Sequence, residues 1–239
     1  MSFEEFQNLA QNESLDKYQK IGFPREFRES YEEIICDDIV SKVSNLLKPN
    51  ASVLDIGPGC SDLPRLLISR ATEVDSQVTL IDSDEMLNLL PNQRNVIKIA
   101  GKFQDVLRNE MLQTYDAIIC YSVFQYIYYN SSTEKFVDEA LSLLKPGGQL
   151  LIGDIPNFSK RKRMLSTPEG GKYHQEYMKT DSQPDIKFAE IASGLIDDST
   201  VVSIISRARA AGFDSYVLPQ PHILPMSNRR EDILICRPI

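Results

Sequence analysis

Gly57 and Gly59 flank Pro58 directly after a short apolar run that carries Asp55, in the stretch VLDIGPGCSDLP. Two residues without side chains at a strand-to-helix turn let a ligand reach the main chain, because glycine accepts backbone angles that other residues avoid. Asp82 closes the next apolar run, in VTLIDSDEML, and a carboxylate at the end of a strand can accept hydrogen bonds from both hydroxyls of a ribose. Its alternative role is a helix cap, which Ser83 or Asp84 serves equally well. A dinucleotide site wants a third glycine where Asp62 stands, with the pyrophosphate against the helix N-terminus. An aspartate there repels a pyrophosphate, so the pattern points to a nucleoside ligand without phosphates.

The elements that must hold these residues alternate along the chain. SVLDIG, QVTLID, NVIKIA, YDAIICYS and GQLLIGDI are short runs of Val, Ile and Leu, each followed by turn residues or a polar helical pattern, as in strands buried on both faces of a parallel sheet. The class is α/β. Ser131-x-x-Glu134 predicts a capping box, after which Phe136, Val137, Ala140, Leu141 and Leu144 share one helix face before KPGG ends the segment. Val201, Val202, Ile205 and Ala208 predict a helix that stops at Gly212, and DSYVLPQ and EDILICRPI read as two last strands. A single domain over 1–239 is expected, with two additions to the rhythm. Residues 1–46 carry Ile34, Ile35, Ile39 and Val43 on one face, predicting helices packed on the sheet or over a pocket. Residues 157–198 form a polar insertion too long for a plain connector.

Composition excludes several classes. Among 239 residues, 26 are basic and 34 acidic, a net charge of −8 that disfavours general nucleic-acid binding. Cys36, Cys60, Cys120 and Cys236 are scattered and only two histidines occur, so neither a disulfide framework nor a metal site is expected. The acidic, polar-interrupted start MSFEEFQNLAQNES is unlike a signal peptide, and no apolar stretch is long enough to span a bilayer. A cytoplasmic protein is expected.

Against the negative total, residues 157–179 hold six basic side chains (Lys160, Arg161, Lys162, Arg163, Lys172, Lys179) and two acidic ones (Glu169, Glu176). One reading is a lid that binds an anionic small substrate through Lys160, Arg161 and Arg163 with Tyr173 and Tyr177; the other is a solvated basic helix face. His174, between those tyrosines, could take a hydroxyl proton. Asp154, Gln125 and Tyr126, each just past a predicted strand, are further candidates for substrate contact.

In order and spacing, VLDIGPGCSDLP, VTLIDSDEML, AGKFQDV, YDAIICYSVFQYI and LLKPGGQLLIGDI resemble the class I S-adenosylmethionine-dependent methyltransferases, over roughly residues 50–155 and the terminal strand pair. The resemblance implies a seven-stranded sheet of order 3-2-1-4-5-7-6 with the last strand antiparallel and helices on both faces. It also implies S-adenosylmethionine as cofactor, S-adenosylhomocysteine as product and no metal. Asp55, Gly57 and Gly59 would face the methionine end, Asp82 would hold the ribose beside Ser83, Phe103 and Gln104 would meet the adenine, and Tyr121 and Ser122 would lie beside the methyl donor. Lys20, Arg25 or Arg28 would pair with the cofactor carboxylate, Arg28 first among them. CYSVFQYI stands where base-modifying relatives carry an [DNS]PP[YF]-like motif, which disfavours nucleic-acid bases as acceptors. GDIPNFSKRKR and KIGFPREFR resemble small bacterial methyltransferases of surface-polysaccharide biosynthesis. The implied activity is methyl transfer to a small, anionic (phosphorylated, phosphoramidate or carboxylated sugar-like) acceptor, at oxygen, with Tyr126 and His174 as catalytic candidates. Two other readings stay open: a cofactor-binding scaffold or sensor without turnover, and an NAD-dependent oxidoreductase.

Overall fold

The computed structural model describes residues 1–188 and 194–239. Seven strands form one sheet: β1 (Ser52–Ile56), β2 (Gln77–Asp82), β3 (Val96–Ala100), β4 (Tyr115–Tyr121), β5 (Leu144–Pro156), β6 (Asp214–Leu218) and β7 (Arg230–Cys236), in the order β3-β2-β1-β4-β5-β7-β6. The pairs from β3 through β5 are parallel, while β7 runs antiparallel to both β5 and β6. The seven expected strands and their order are present. Strand order reverses between β1 and β4, and a crevice opens at such a switch point outside the carboxyl ends of the strands.

Every residue of β4 is buried, which explains why its sequence is apolar apart from Asp116, whose carboxylate is held by Lys48, Lys145 and the Ser52 N–H. Alternate side chains serve opposite layers. Leu54, Ile118, Leu150 and Ile152 join one core with Phe136, Val137, Val201 and Ile204, whereas Val53, Ala117, Ile119 and Leu151 join a second with Ile35, Ile39, Leu67 and Ile68.

The helices are α1 (Phe3–Gln11), α2 (Lys17–Lys20), α3 (Glu32–Lys42), α4 (Asp62–Thr72), α5 (Asp84–Leu87), α6 (Phe103–Val106), α7 (Phe124–Asn130), α8 (Thr133–Ser142), α9 (Phe158–Leu165), α10 (Pro168–Met178) and α11 (Asp198–Ala210). Three details correct the sequence reading. The cap of α8 is Ser132, whose hydroxyl accepts from the Lys135 N–H at 3.1 Å, because the Ser131 N–H still closes the last turn of α7 on the Ile127 carbonyl. Leu144 opens β5 instead of closing α8. On α11 the buried positions are Val201, Ile204 and Ala208, and Val202 points to solvent.

The N-terminal segment folds before the sheet begins. Ser2 and Glu5 form a reciprocal capping box that starts α1, and Asp16 accepts from the Tyr18 and Gln19 amides to start α2. The predicted insertion contains α9 and α10, with 189–193 lying outside the described residues. Among the described residues, no helix is long and apolar enough to cross a membrane.

Candidate active site

A cavity of about 370 Å³ lies at the carboxyl ends of β1, β2 and β4. Its floor is the turn after β1. Gly57 and Gly59 sit at φ +68° and +66°, and a Cβ on either would come within 2.7 Å of a neighbouring side chain, Val123 or Ile21. Both positions therefore require glycine.

Asp82 ends β2 and lines the cavity. Its carboxylate accepts from the Gly59 N–H at 3.0 Å and the Ser83 N–H at 2.7 Å. Burial pushes its pKa up to about 6 against the pull of these two bonds. Asp55, buried in β1 and outside the lining, is pushed up to about 7 by burial and by the charge of Asp82. Ser83 also lies outside the lining and caps α5 by accepting from the Met86 N–H at 3.2 Å.

The start of α4 is already satisfied. The Asp62 N–H donates to Glu32 Oε2 at 2.9 Å, and the Asp62 carboxylate pairs with Lys17. With two carboxylates at this helix N-terminus, a pyrophosphate has no place there.

Past β4, Tyr121 and Ser122 form a wall. Ser122 holds a left-handed φ of +61° and Asp154, in β5, one of +57°. The Ser122 hydroxyl donates to Asp154 Oδ2 at 2.6 Å and accepts from the Arg28 guanidinium. Arg28 is buried, with its guanidinium 4.4 Å from the Phe23 ring centre, and its Nε finds no acceptor. Asp154 lies behind the wall between Arg28 and Arg230, at 3.8 and 3.7 Å, while its own N–H donates to Asp232 at 2.7 Å. Lys42 bridges Asp232 and Asp38 at 2.7 and 2.5 Å. Three cations thus face three carboxylates, the arrangement that a buried charge cluster requires. Burial also keeps the Tyr121 phenol protonated, its pKa well above the usual value.

The far side carries Phe103, edge-on to Phe136 at 5.5 Å, and Gln104, whose buried Nε2 has no hydrogen-bond partner. The roof comes from the N-terminus. Phe3 and Phe6 of α1 line the cavity, Phe6 meets Tyr126 edge-on at 4.8 Å, and Glu4 bonds Lys102 across the rim at 2.8 Å. Burial raises the Tyr126 phenol above its ordinary pKa.

Of the sequence candidates, Arg28, Gly57, Gly59, Asp82, Phe103, Gln104, Tyr121, Ser122 and Tyr126 meet around this one cavity. Gln125 stands just beneath, its side-chain amide donating to the Ser122 carbonyl at 2.7 Å. Lys20 is turned to the Ala10 carbonyl and Arg25 to Asp16 and Glu29, which leaves Arg28 as the one of the three at the cavity. None of the described residues of 157–198 lines it. Lys160 reaches the Arg230 carbonyl at 2.6 Å, Arg163 pairs with Asp198 at 2.6 Å, Arg161 is exposed, Tyr173 and Tyr177 stack on each other with ring centres 5.7 Å apart, and His174 is half-buried. Sequence reasoning did not assign Phe3, Phe6 or Phe23 to the site. The signal was available in Ser2-Phe3-Glu4-Glu5-Phe6, a capping box that places two aromatics on one turn.

These residues fit an adenosyl ligand. A bare main chain at the floor, a carboxylate at the end of β2 and an unpaired amide donor on the far side are the partners that a nucleoside without phosphates needs. The model of the methyltransferase domain family matches residues 27–214.

The chain belongs to the methyltransferase domain family.

This class I, S-adenosylmethionine-dependent methyltransferase is similar in structure to the N-methyltransferase NodS from Bradyrhizobium japonicum, solved with S-adenosylhomocysteine, at TM-score 0.62 and 12% identity over 99% of this chain and 98% of that one. It is also similar to the plantazolicin methyltransferase BpumL, at TM-score 0.61 and 14% identity over 99% and 98% of the two chains. A third is the 1,6-didemethyltoxoflavin N1-methyltransferase of Burkholderia thailandensis, at TM-score 0.53 and 14% identity over 100% and 91%. No curated protein matches the chain in sequence. At these identities the likeness is one of fold.

Proposed function

We propose that this methyltransferase transfers the methyl group of S-adenosylmethionine to an oxygen of a small anionic acceptor, in the cytoplasm. The reading rests above all on the cavity at the β1–β4 switch point, which gathers a glycine floor, a carboxylate and an unpaired amide.

In this reading Asp82 accepts from the ribose hydroxyls, Gln104 Nε2 donates to the adenine, Phe103 packs against its ring, and Gly57 and Gly59 let the methionine part lie on the main chain. The unpaired Arg28 Nε meets the cofactor carboxylate. When bound, S-adenosylmethionine supplies a methyl carbon on a positively charged sulfur that departs with the bond's electron pair. The protein's task is alignment, and holding the acceptor oxygen in line can lower the barrier by about 7–11 kcal/mol. Tyr126, kept protonated by burial, orients the acceptor by hydrogen bonding, and the displaced proton passes to water. His174 lies outside the cavity lining and takes no part in this assignment.

Electrostatics supports an anionic acceptor. The carboxylates lining the cavity are Glu4, engaged by Lys102, and Asp82, engaged by two backbone amides. An ammonium acceptor gains no free counter-ion there, whereas Arg230 and the basic face of α9 lie beside the inner wall. The reduced cysteines, three of them buried, support a cytoplasmic setting.

Calorimetric titration with S-adenosylhomocysteine is the test. Wild type is expected to bind with a micromolar Kd, about −8 kcal/mol, and Asp82→Ala to lose binding. Absence of binding to wild type would reject the cofactor assignment. Incubation with phosphorylated and carboxylated sugars then reads transfer directly, and a product methylated at nitrogen would reject the oxygen assignment.

A further inference from the structure

Tyr121 and Gly153 are the last register partners of β4 and β5, so the next residue of each strand, Ser122 and Asp154, emerges beside the other at the carboxyl edge of the sheet. Both hold left-handed backbone angles, φ +61° and +57°. Residues with a side chain seldom hold such angles, which persist where the surroundings impose them. The result here is a hydroxyl set against a carboxylate, with Ser122 Oγ donating to Asp154 Oδ2 at 2.6 Å.

The carboxylate is fixed from behind. Arg230 Nη1 lies 3.7 Å from Oδ2 and donates to the Asp154 carbonyl at 2.8 Å, and Gln220 Nε2 lies 3.4 Å from Oδ1. Arg28 is confined in front, its guanidinium carbon 4.4 and 5.7 Å from the ring centres of Phe23 and Tyr121, two residues that line the cavity. Yet these two buried, opposite charges do not touch. Arg28 Nη2 donates to the Ser122 hydroxyl and stays 3.8 Å from Asp154 Oδ2. A guanidinium and a carboxylate free to meet close to about 2.7–2.9 Å, commonly through two donors. The Ser122 hydroxyl stands in that gap, accepting from one partner and donating to the other, and Arg28 Nε is left without an acceptor.

We propose that Ser122 is a positioning residue, a spacer that keeps Arg28 out of a contact ion pair with Asp154 and so keeps its guanidinium available to the carboxylate of the cofactor's methionine part. The proposal rests on the cofactor reading and adds a division of labour to it. Asp154 supplies the counter-charge that lets Arg28 be buried, and the hydroxyl limits how far that charge neutralises it. Without the hydroxyl, the guanidinium closes the gap to Asp154 and withdraws into the wall. The consequence is selective. The methionine carboxylate loses its partner, whereas the nucleoside, held in the same reading by Asp82 and the glycine floor, keeps its contacts.

The test compares two ligands by calorimetry on the full-length protein. One is S-adenosylhomocysteine; the other is 5′-methylthioadenosine, which has the same nucleoside and a thioether but no amino-acid carboxylate. Ser122→Gly removes the hydroxyl and suits a φ of +61°. It is expected to weaken S-adenosylhomocysteine about tenfold, the scale of one hydrogen bond to a charged group, and to leave 5′-methylthioadenosine within about twofold. Adding Asp154→Asn takes away the competing charge at a left-handed position that asparagine tolerates, and is expected to return S-adenosylhomocysteine to within about threefold of wild type. Equal losses for both ligands would assign Ser122 to packing or to contact with the sulfur and overturn the proposal, as would no loss for either. A double variant that binds 5′-methylthioadenosine normally but S-adenosylhomocysteine no better than Ser122→Gly would also overturn it. Binding of 5′-methylthioadenosine verifies the fold of each variant, and the two-ligand comparison in Ser122→Gly decides alone if the double variant fails to fold. Wild type that binds neither ligand would overturn the cofactor reading and the spacer with it, whereas the other adverse results overturn the spacer only.

Discussion

The N-terminal segment and the segment after β5 are both polar additions to the sheet, and among the described residues only the first reaches the cavity. Residues 157–179 drew notice in the sequence by charge, yet their side chains turn to the Arg230 carbonyl, to Asp198 and to one another. Residues 1–28 carry no comparable run, yet Phe3, Phe6, Phe23 and Arg28 enclose the ligand space. Charge is what a surface can show without packing. Enclosing a nucleoside calls for apolar and aromatic side chains, which look in sequence like any other small core.

Five predictions test this division. Gly57→Val places a branched side chain at φ +68° and against Val123, so affinity for S-adenosylhomocysteine should fall more than 100-fold while circular dichroism still reports a folded α/β protein. Phe6→Ala opens the roof beside Tyr126 and should weaken the same affinity about tenfold, close to 1.4 kcal/mol. His174→Ala should leave that affinity within twofold, and a large loss there would break the comparison.

The fourth concerns pH. Burial raises Asp82 to about 6, so the carboxylate proposed to accept from the ribose is charged above that value and protonated below it. Affinity for S-adenosylhomocysteine should be flat from pH 7 to 8 and decline by up to tenfold per unit as pH falls below about 6. In Asp82→Asn that dependence should disappear. Lys102→Ala should also have only a small effect. The pair with Glu4 is exposed on both sides, and surface pairs of this kind contribute little; affinity should change less than threefold at low salt and not at all at high salt.

The strands and the glycine turn were legible in the sequence because each is written locally, whereas the strand order and most residues assigned to the cofactor came from the resemblance of the ordered motifs to a family. An apolar run buried on both faces needs no partner to be read, and a GxG turn fixes its own conformation. The corner of α8 was misread by one residue because Ser131 and Ser132 are both competent caps, and only the end of α7 decides between them. The N-terminal roof was legible as a helical segment over the sheet or a pocket, but not residue by residue. Phe6 gains its meaning from Tyr126, far along the chain.

The cluster behind the wall ties the order of synthesis to function. Arg28 precedes the first strand, whereas Asp232, which the Lys42 ammonium meets 190 residues away in sequence, lies in the last. A nascent chain can pair β1 through β5 while Lys42 and the Asp154 amide still await their partner. The wall that carries Arg28 is complete only when β7 has left the ribosome and inserted beside β5. Until then the unfinished protein has most of its sheet and every residue that lines the cavity, while Lys42 and the Asp154 amide lack the carboxylate that completes the cluster behind it.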